Sequence, residues 1–388
     1  MIAISQDALH NALNAVTRAS LKNSLNPSFS LVRLDAGADG RLSLSCFNGE
    51  TAARAIVQVA CDEDFSVSVD ALTLNAVVET LAGEIRLTVE GTSLILHSQS
   101  NRTTLRVVDQ PLPVIGEESV RTLTTLAGHT FRSLARVLPF AFADESRPTL
   151  QVLHLTLEKA TITALAADGF SAGCVRENAQ EIAEPISLSL PLNFARLLST
   201  LVEERDSVRV ETAGDNRTLF QITNAENSKD LTLATVMVAG AFPSAQIGDL
   251  IEQARRDSVA HLIVQQNSLA QTIRMVQAMG TQNTFIKAMN GAVKMASSET
   301  ETGQARNILD GTAGGQDTSV WLSAAFLKRA AEACKGEIAI RLADGKKPVL
   351  VEAGGLTAII MPVLVDGNKD PFPEDEAIPV VMPAMIVA

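Results

Sequence analysis

GEIRLTVEGTSLILHSQ, residues 83–99, alternates apolar and polar side chains, turns at a glycine-containing segment, and alternates again. Alternation puts every second side chain on one face of a strand, so the stretch predicts a β-hairpin with one buried face. Just upstream, Leu74, Val77, Val78 and Leu81 keep the i, i+3, i+4, i+7 spacing of a helix that buries one stripe. The same succession occurs twice more. Phe194, Leu197, Leu198 and Leu201 precede DSVRVETAGDNRTLFQIT (206–223), and Leu327, Ala330, Ala331 and Cys334 precede GEIAIRLADGKKPVLVEAG (336–354). Each hairpin leads into one more strand and a proline: TTLRVVDQPLP (103–113), LTLATVMVAGAFP (231–243) and LTAIIMP (356–362).

Working outward, an earlier helix also recurs. QDALHNALNAVTRA (6–19), HTFRSLARVL (129–138) and NSLAQTIRMVQAM (267–279) carry apolar stripes, and Pro139 is expected to stop the second. Alternating meanders such as FSLVRLDAGADGRLSLSC (29–46) and LQVLHLTLEKATITALAAD (150–168) lie between the two helices. The chain therefore reads as an α+β fold written three times in tandem, each copy two helices packed on antiparallel sheets. Expected boundaries are 1–116, 122–245 and 256–364, with polar linkers near 114–125 and 244–258 and an acidic, apolar-tipped tail over 365–388.

Composition narrows the function. The 388 residues are 46% hydrophobic and 20% charged, with aromatics at 4% and no tyrosine, which weakens any reading that stacks bases on aromatic platforms. No apolar run reaches the ~18 residues of a membrane span and no signal-peptide pattern opens the chain, so a cytoplasmic protein is expected. The four cysteines and five histidines show no metal-ligand spacing. Buried free thiols, no metal and no cofactor are the reading. The acidic clusters Asp62-Glu63-Asp64 and Glu374-Asp375-Glu376 read as solvated loops, and GTAGGQD (311–317), lacking the Lys-Ser/Thr of a phosphate loop, reads as a mobile loop.

ADGFSAG (167–173) matches G-x-S-x-G, which raises Ser171 as a hydrolase nucleophile. Against this, His261 is the only later histidine, and no HGGG-type loop precedes the motif. The repeat places CFNGETAARAIVQV (46–59) where AADGFSAGCVREN (166–178) stands, as a turn within a continuing strand pair. A serine hydrolase is thus the alternative reading.

The net charge is −12, yet the helices together are positive, through residues such as Lys22, Arg132, Arg136, Arg196 and Lys328. Equivalent helices around a common axis would give a mildly basic lining that holds a polyanion by phosphate contacts without reading bases.

Several segments, in order, resemble the bacterial DNA polymerase III beta subunit, the sliding clamp family. ALAADGFSAG (164–173) resembles its T-x-A-T-D-G-H-R-L-A, GAFPSAQI (240–247) its G-R-F-P-D-Y, and TAIIMPVL (357–364) its terminal V-V-M-P-M-R-L; MIAISQDALHNALNAV resembles its first strand and helix. The resemblance implies a non-catalytic homodimeric ring of six similar domains around double-stranded DNA, without sequence specificity. Its implied partners are the replicative polymerase catalytic subunit, the clamp loader and other proteins bearing a clamp-binding motif. It implies a partner-peptide pocket from Arg147, Leu150, Ala167, Gly169, Phe170, Pro243 and Ile247, with Ala325, Ile359, Ile360, Met361 and Pro362. Lys22, Arg132, Arg136, Arg196 and Lys328 would face DNA, and Leu105, Met275 and Val276 would lie at the dimer interface. The sequence departs from the pattern at Phe170-Ser171-Ala172, at Pro148 and Thr149, and at Ala325 where a pocket aromatic is expected. It also continues past Leu364, and the tip IPVVMPAM (378–385), an echo of AIIMPVL, is expected to fold back near the pocket. A clamp-like paralogue with other partners is a further alternative.

Overall fold

The computed structural model describes residues 1–22, 24–61, 64–110, 112, 119–179, 184–214, 216–364 and 370–372. One order of elements recurs along them. It runs first as β1 (Ile2–Ser5), α1 (Gln6–Val16), β2 (Leu31–Gly37), β3 (Arg41–Phe47), β4 (Thr51–Gln58), β5 (Ala60–Cys61), β6 (Phe65–Asp70), α2 (Ala71–Thr80), β7 (Glu84–Glu90), β8 (Ser93–Ser98) and β9 (Asn101–Arg106). The second pass is β10 (Val120–Ala127), α3 (Gly128–Leu134), β11 (Val152–Glu158), β12 (Thr161–Ala167), β13 (Ser171–Asn178), β14 (Ile186–Pro191), α4 (Leu192–Leu201), β15 (Ser207–Ala213), β16 (Arg217–Asn224) and β17 (Lys229–Val236). After α5 (Ser244–Asp257) come β18 (Ala260–Gln265), α6 (Gln266–Ala278), β19 (Asn283–Met289), β20 (Ala292–Ser297), β21 (Arg306–Ile308), β22 (Gly311–Gly315), β23 (Thr318–Ser323), α7 (Ala324–Ala333), β24 (Glu337–Leu342), β25 (Val349–Ala353) and β26 (Leu356–Ile360).

Local chemistry sets the element ends. The Ser5 hydroxyl accepts from the Ala8 amide at 3.3 Å and the Asp70 carboxylate from the Thr73 amide at 2.8 Å, capping α1 and α2. Past Leu134, α3 gives way to a 3₁₀ turn over Ala135–Phe140 that contains Pro139, which has no amide hydrogen to continue the ladder.

The chain forms two compact units. The first comprises Met1–Ala135, Val152–Ile162 and Glu177–Gly240. It holds a sheet in the order β5-β1-β7-β8-β9 and an eight-stranded sheet in the order β10-β15-β16-β17-β4-β3-β2-β6. The larger sheet is continuous because β17 pairs antiparallel with β4, from Leu231 opposite Ala55 to Thr235 opposite Thr51. Phe131, Phe194 and Phe220 fill its core, with ring centroids 6.2 and 5.7 Å apart. Beside them the Asp206 side chain is completely buried and accepts from the Glu203 amide (2.8 Å), Asn224 Nδ2 (3.0 Å) and Lys229 Nζ (2.6 Å). Lys229 Nζ also donates to the Leu201 carbonyl at 2.7 Å, closing the C-terminus of α4.

The second unit comprises Arg136–Gln151, Thr163–Arg176 and Ala241–Ala388. Here β13 pairs with β26, from Ser171 opposite Ile360 to Val175 opposite Leu356, and the sheet continues through β25, β24, β18 and β22. This join repeats the β4–β17 arrangement. A second sheet runs β21-β20-β19-β23, and α6 packs against α7.

Two expectations for this unit are corrected. The polar stretch 244–258 is a helix, α5, whose Ile247, Ile251 and Ala254 are buried at i, i+4 and i+7. The expected mobile loop 311–317 contains β22, paired with β18. Glycines permit that pairing: a Cβ on Gly311 would sit 2.2 Å from the Ile263 carbonyl oxygen. None of the four cysteines forms a disulfide; Cys46 and Cys334 are buried as expected, whereas Cys61 and Cys174 are half-buried.

An ionic clasp fastens α5. Arg255 Nη2 lies 2.7 Å from Glu352 Oε1 on β25, and Arg341 Nε lies 2.8 Å from Glu352 Oε2. Partial burial opposes ionisation of Glu352, but the hydrogen bonds and charges of Arg341 and Arg255 outweigh it and hold the carboxyl below its ordinary range. A depressed carboxylate contributes stability that is fully present above its unfolded pKa, near 4.5, and lost as pH falls through the lower folded value. Denaturant titrations below pH 4.5 are expected to show an acid-dependent loss of stability that shrinks in Glu352→Gln. An unchanged pH slope in that variant contradicts the assignment.

Candidate functional site

The turn between β12 and β13 is built around Asp168. Its Oδ1 accepts from the Phe170 amide (2.9 Å) and the Ser171 amide (2.7 Å), while Oδ2 accepts from the Ser171 hydroxyl and from Arg329 Nη1 on α7. Asp168 and Ser171 are buried, so these bonds form where water competes poorly. The turn needs a left-handed residue, and Gly169 supplies it at φ +93°. A Cβ there would also stand 3.0 Å from Arg147 Nη1.

Held this way, Phe170 projects outward with 59% of its surface exposed. Its ring stacks on Phe326 of α7, with centroids 6.3 Å apart and planes 15° apart. The Arg329 guanidinium lies 5.3 Å from the centre of the Phe326 ring, and Arg147 lies over Phe142 at 5.5 Å. The Met361 amide donates to the Phe170 carbonyl at 2.9 Å, which brings the end of β26 to the same place. Met361 is 38% exposed. The Phe142 amide is shared between the Leu150 and Ala167 carbonyls, both at 3.2 Å. The result is an aromatic shelf flanked by a methionine and two arginines.

Of the residues implied by the resemblance, Arg147, Leu150, Gly169, Phe170 and Met361 gather at this shelf. Ala167, Ile359 and Ile360 are buried in the strands that support it. Ala325 is exposed at the start of α7, and Pro362 follows Met361. Pro243 and Ile247 stand at the start of α5, which packs along β25, the strand beside β26. The aromatic expected at Ala325 is supplied by its neighbour Phe326. Sequence reading missed it, along with Arg329, because one residue along a helix turns the side chain by about 100° and only packing decides which one faces the shelf.

Ser171 is not a nucleophile. Its hydroxyl donates to Asp168, accepts from Arg329 at 3.2 Å, is buried, and opens a β-strand where the hydrolase turn requires a helix. His261 lies on β18, its ring against Gly314 of β22. Among the described residues no group of three or more His, Cys, Asp or Glu is arranged to hold a metal ion, and no helix is long and apolar enough to cross a membrane. Asp62-Glu63 and Glu374-Asp375-Glu376 lie outside the described residues.

The predicted basic residues differ in what they contact. Lys22 and Arg196 are exposed, Arg132 is exposed with Nη1 on the Val202 carbonyl at 3.2 Å, and Lys328 pairs with Glu332 at 3.8 Å. Arg136 spends its guanidinium on three carbonyls, Ala333 at 2.9 Å, Gly354 at 2.6 Å and Ala353 at 3.1 Å, which makes it a clasp at the end of α7. Leu105 is half-buried on β9, the last strand of its sheet, and Met275 is 39% exposed on α6, whereas Val276 is fully buried beneath that helix.

Residues 1–112 match the family described as DNA polymerase III beta subunit, N-terminal domain. The beta sliding clamp of Micrococcus luteus is 26% identical over 296 residues, 73% of this chain and 89% of that protein. The crystal structure of the DNA polymerase sliding clamp from Bacillus subtilis matches with a TM-score of 0.83 at 17% identity, covering 94% of this chain and 99% of that one. The beta chain from Streptococcus pneumoniae matches at 0.84 and 19%, with coverage of 94% and 99%. A Pseudomonas aeruginosa sliding clamp bound to griselimycin matches at 0.82 and 18%, with the same coverage. The fold is that of the sliding clamps. Residues 1–112 are similar to the N-terminal domain of the DNA polymerase III beta subunit, and the chain as a whole is similar to a curated sliding clamp.

Proposed function

We propose that this chain is a DNA sliding clamp, a non-catalytic cytoplasmic processivity factor that encircles duplex DNA and tethers the replicative polymerase. The reading rests above all on likeness of fold to sliding clamps along 94% of the chain. Three clamp domains, 1–116, 122–245 and 256–364, would make up each protomer, in keeping with the thrice-repeated element order. Two protomers would close head to tail, β9 with Leu105 on one chain meeting β21 with its exposed Ile308 on the other, since unpaired strand edges must be covered. Lys22, Arg132, Arg196 and Lys328 would make exchangeable, non-sequence-specific phosphate contacts; Arg136 would act mainly through its carbonyl clasp. The shelf around Phe170 would take an apolar peptide segment of the polymerase catalytic subunit, the clamp loader or another partner.

Light scattering is expected to give the mass of two 41.2 kDa chains. Loaded on a primed circular template, the protein is expected to lengthen the products of its polymerase, and to lose that effect on linear DNA, where a ring slides off. A monomer at micromolar concentration that leaves product length unchanged would falsify the reading.

A further inference from the structure

The described residues after Met361 pack within the second unit. The Val363 amide donates to the Trp321 carbonyl at 2.8 Å, and eight residues past Leu364 Phe372 is buried to 2% exposure against Phe285 and Ala296, beside Trp321. Phe285 and Phe372 stack at 6.4 Å, and Lys294 Nζ lies 5.5 Å over the Phe372 ring. Lys287 pairs with the Asp370 carboxylate and donates to the Phe372 carbonyl at 3.3 Å. On β19 the neighbours Ile286 and Ala288 are buried in the core, so Phe285 and Lys287 belong to the opposite face of the sheet. Asp370 and Phe372 thus form an anchor on the outer side of the β19–β20–β23 sheet.

Phe372 is the last described residue, and 373–388 lie outside the described residues. Trp321, whose carbonyl holds Val363, contributes its ring to the anchor cluster, and Met361, two residues before Val363, is bonded to Phe170. Residues 373–388 are long enough at about 3.3 Å per residue to bridge that separation several times over. They carry Glu374-Asp375-Glu376 followed by Ile378, Val380, Val381, Met382, Met385 and Ile386. Such a segment is complementary to an exposed aromatic and methionine surface with Arg147 at its rim.

We propose that this chain's own apolar terminus, residues 378–388, occupies the Phe170–Phe326–Met361 shelf and must be displaced before a partner peptide binds. This rests on the docking role assigned to the shelf above. A short tether gives an effective concentration on the order of 1 mM, so a segment of about 100 µM intrinsic affinity weakens a competing peptide roughly tenfold.

The test is fluorescence anisotropy with a labelled synthetic peptide of residues 374–388. The full-length protein is expected to bind it about tenfold more weakly than a full-length variant carrying Val381→Asp and Met382→Asp, whose own terminus cannot dock. Adding Phe170→Ala to that variant is expected to abolish binding. Equal affinity with and without the two aspartates overturns the proposal, as does binding indifferent to Phe170→Ala. Primer extension separates the two readings. If Phe170→Ala cripples polymerase stimulation while the aspartates change nothing, the self-docked terminus falls and the shelf's role stands; if stimulation ignores Phe170→Ala, both fall.

Discussion

Lys229→Met is expected to destabilise the protein by about 3–5 kcal/mol, because it strands a buried carboxylate. Asp206 has no exposed side-chain surface, and Lys229 is the one cation within bonding distance of it among the described contacts. Methionine keeps the aliphatic stem and removes only the ammonium, so lost packing contributes little. The Leu201 carbonyl at the end of α4 loses its donor at the same time. Pairing the change with Asp206→Asn should recover part of the loss, since a neutral amide costs less to bury than an unpaired anion. Denaturation midpoints of the single and double variants are the measurement. A loss below about 1 kcal/mol for Lys229→Met, the range of an exposed ion pair, would mean that water reaches Asp206.

The second large effect is expected at Asp168. Alanine there removes the acceptor of four hydrogen bonds, two from backbone amides and one from the Arg329 guanidinium. Bonds to charged groups contribute about 1.5–3 kcal/mol each and are partly redundant, so a net loss of about 3 kcal/mol follows. The functional loss should be larger than the stability loss suggests, because the turn holds Phe170 on Phe326. An orientation error equivalent to 1.4 kcal/mol already weakens peptide binding tenfold. Asp168→Asn keeps the acceptor for the two amides and gives up the ion pair, so it should retain most of the stability and an intermediate affinity. Thermal melts read beside polymerase stimulation separate the two roles. If alanine and asparagine prove equally mild in both assays, Asp168 is not what holds the shelf.

The helices legible in the chain were those with a one-sided apolar stripe. Leu74 and Val78, Phe194 and Leu198, and Leu327 and Ala331 are all buried where the 3.6-residue period places them. The hairpins after them follow from alternation and glycine turns. α5 escaped notice because Ile247, Ile251 and Ala254 stand singly among polar residues, and a stripe one residue wide looks like a linker until β25 covers it. β22 escaped because glycines read as a loop; only a backbone pressed against β18 makes them a requirement. At the shelf, the turn and its glycine were legible and the resemblance pointed to Phe170 and Met361. The partners Phe326 and Arg329 were not, since they meet Phe170 and Asp168 from far along the chain.

Periodicity is a local property, so the sequence alone determined the three-times-written order of strands and helices and their buried faces, whereas Ser171 stayed open as a nucleophile until its bonds to Asp168 and Arg329 were in place. Which polar groups neutralise one another is a matter of distances between remote segments. Tertiary packing alone decided that Arg136 clasps carbonyls, that Arg329 secures the turn, that Lys229 neutralises Asp206, and that Phe372 closes over Phe285. Those contacts are steep in distance and orientation, and only the folded chain sets both.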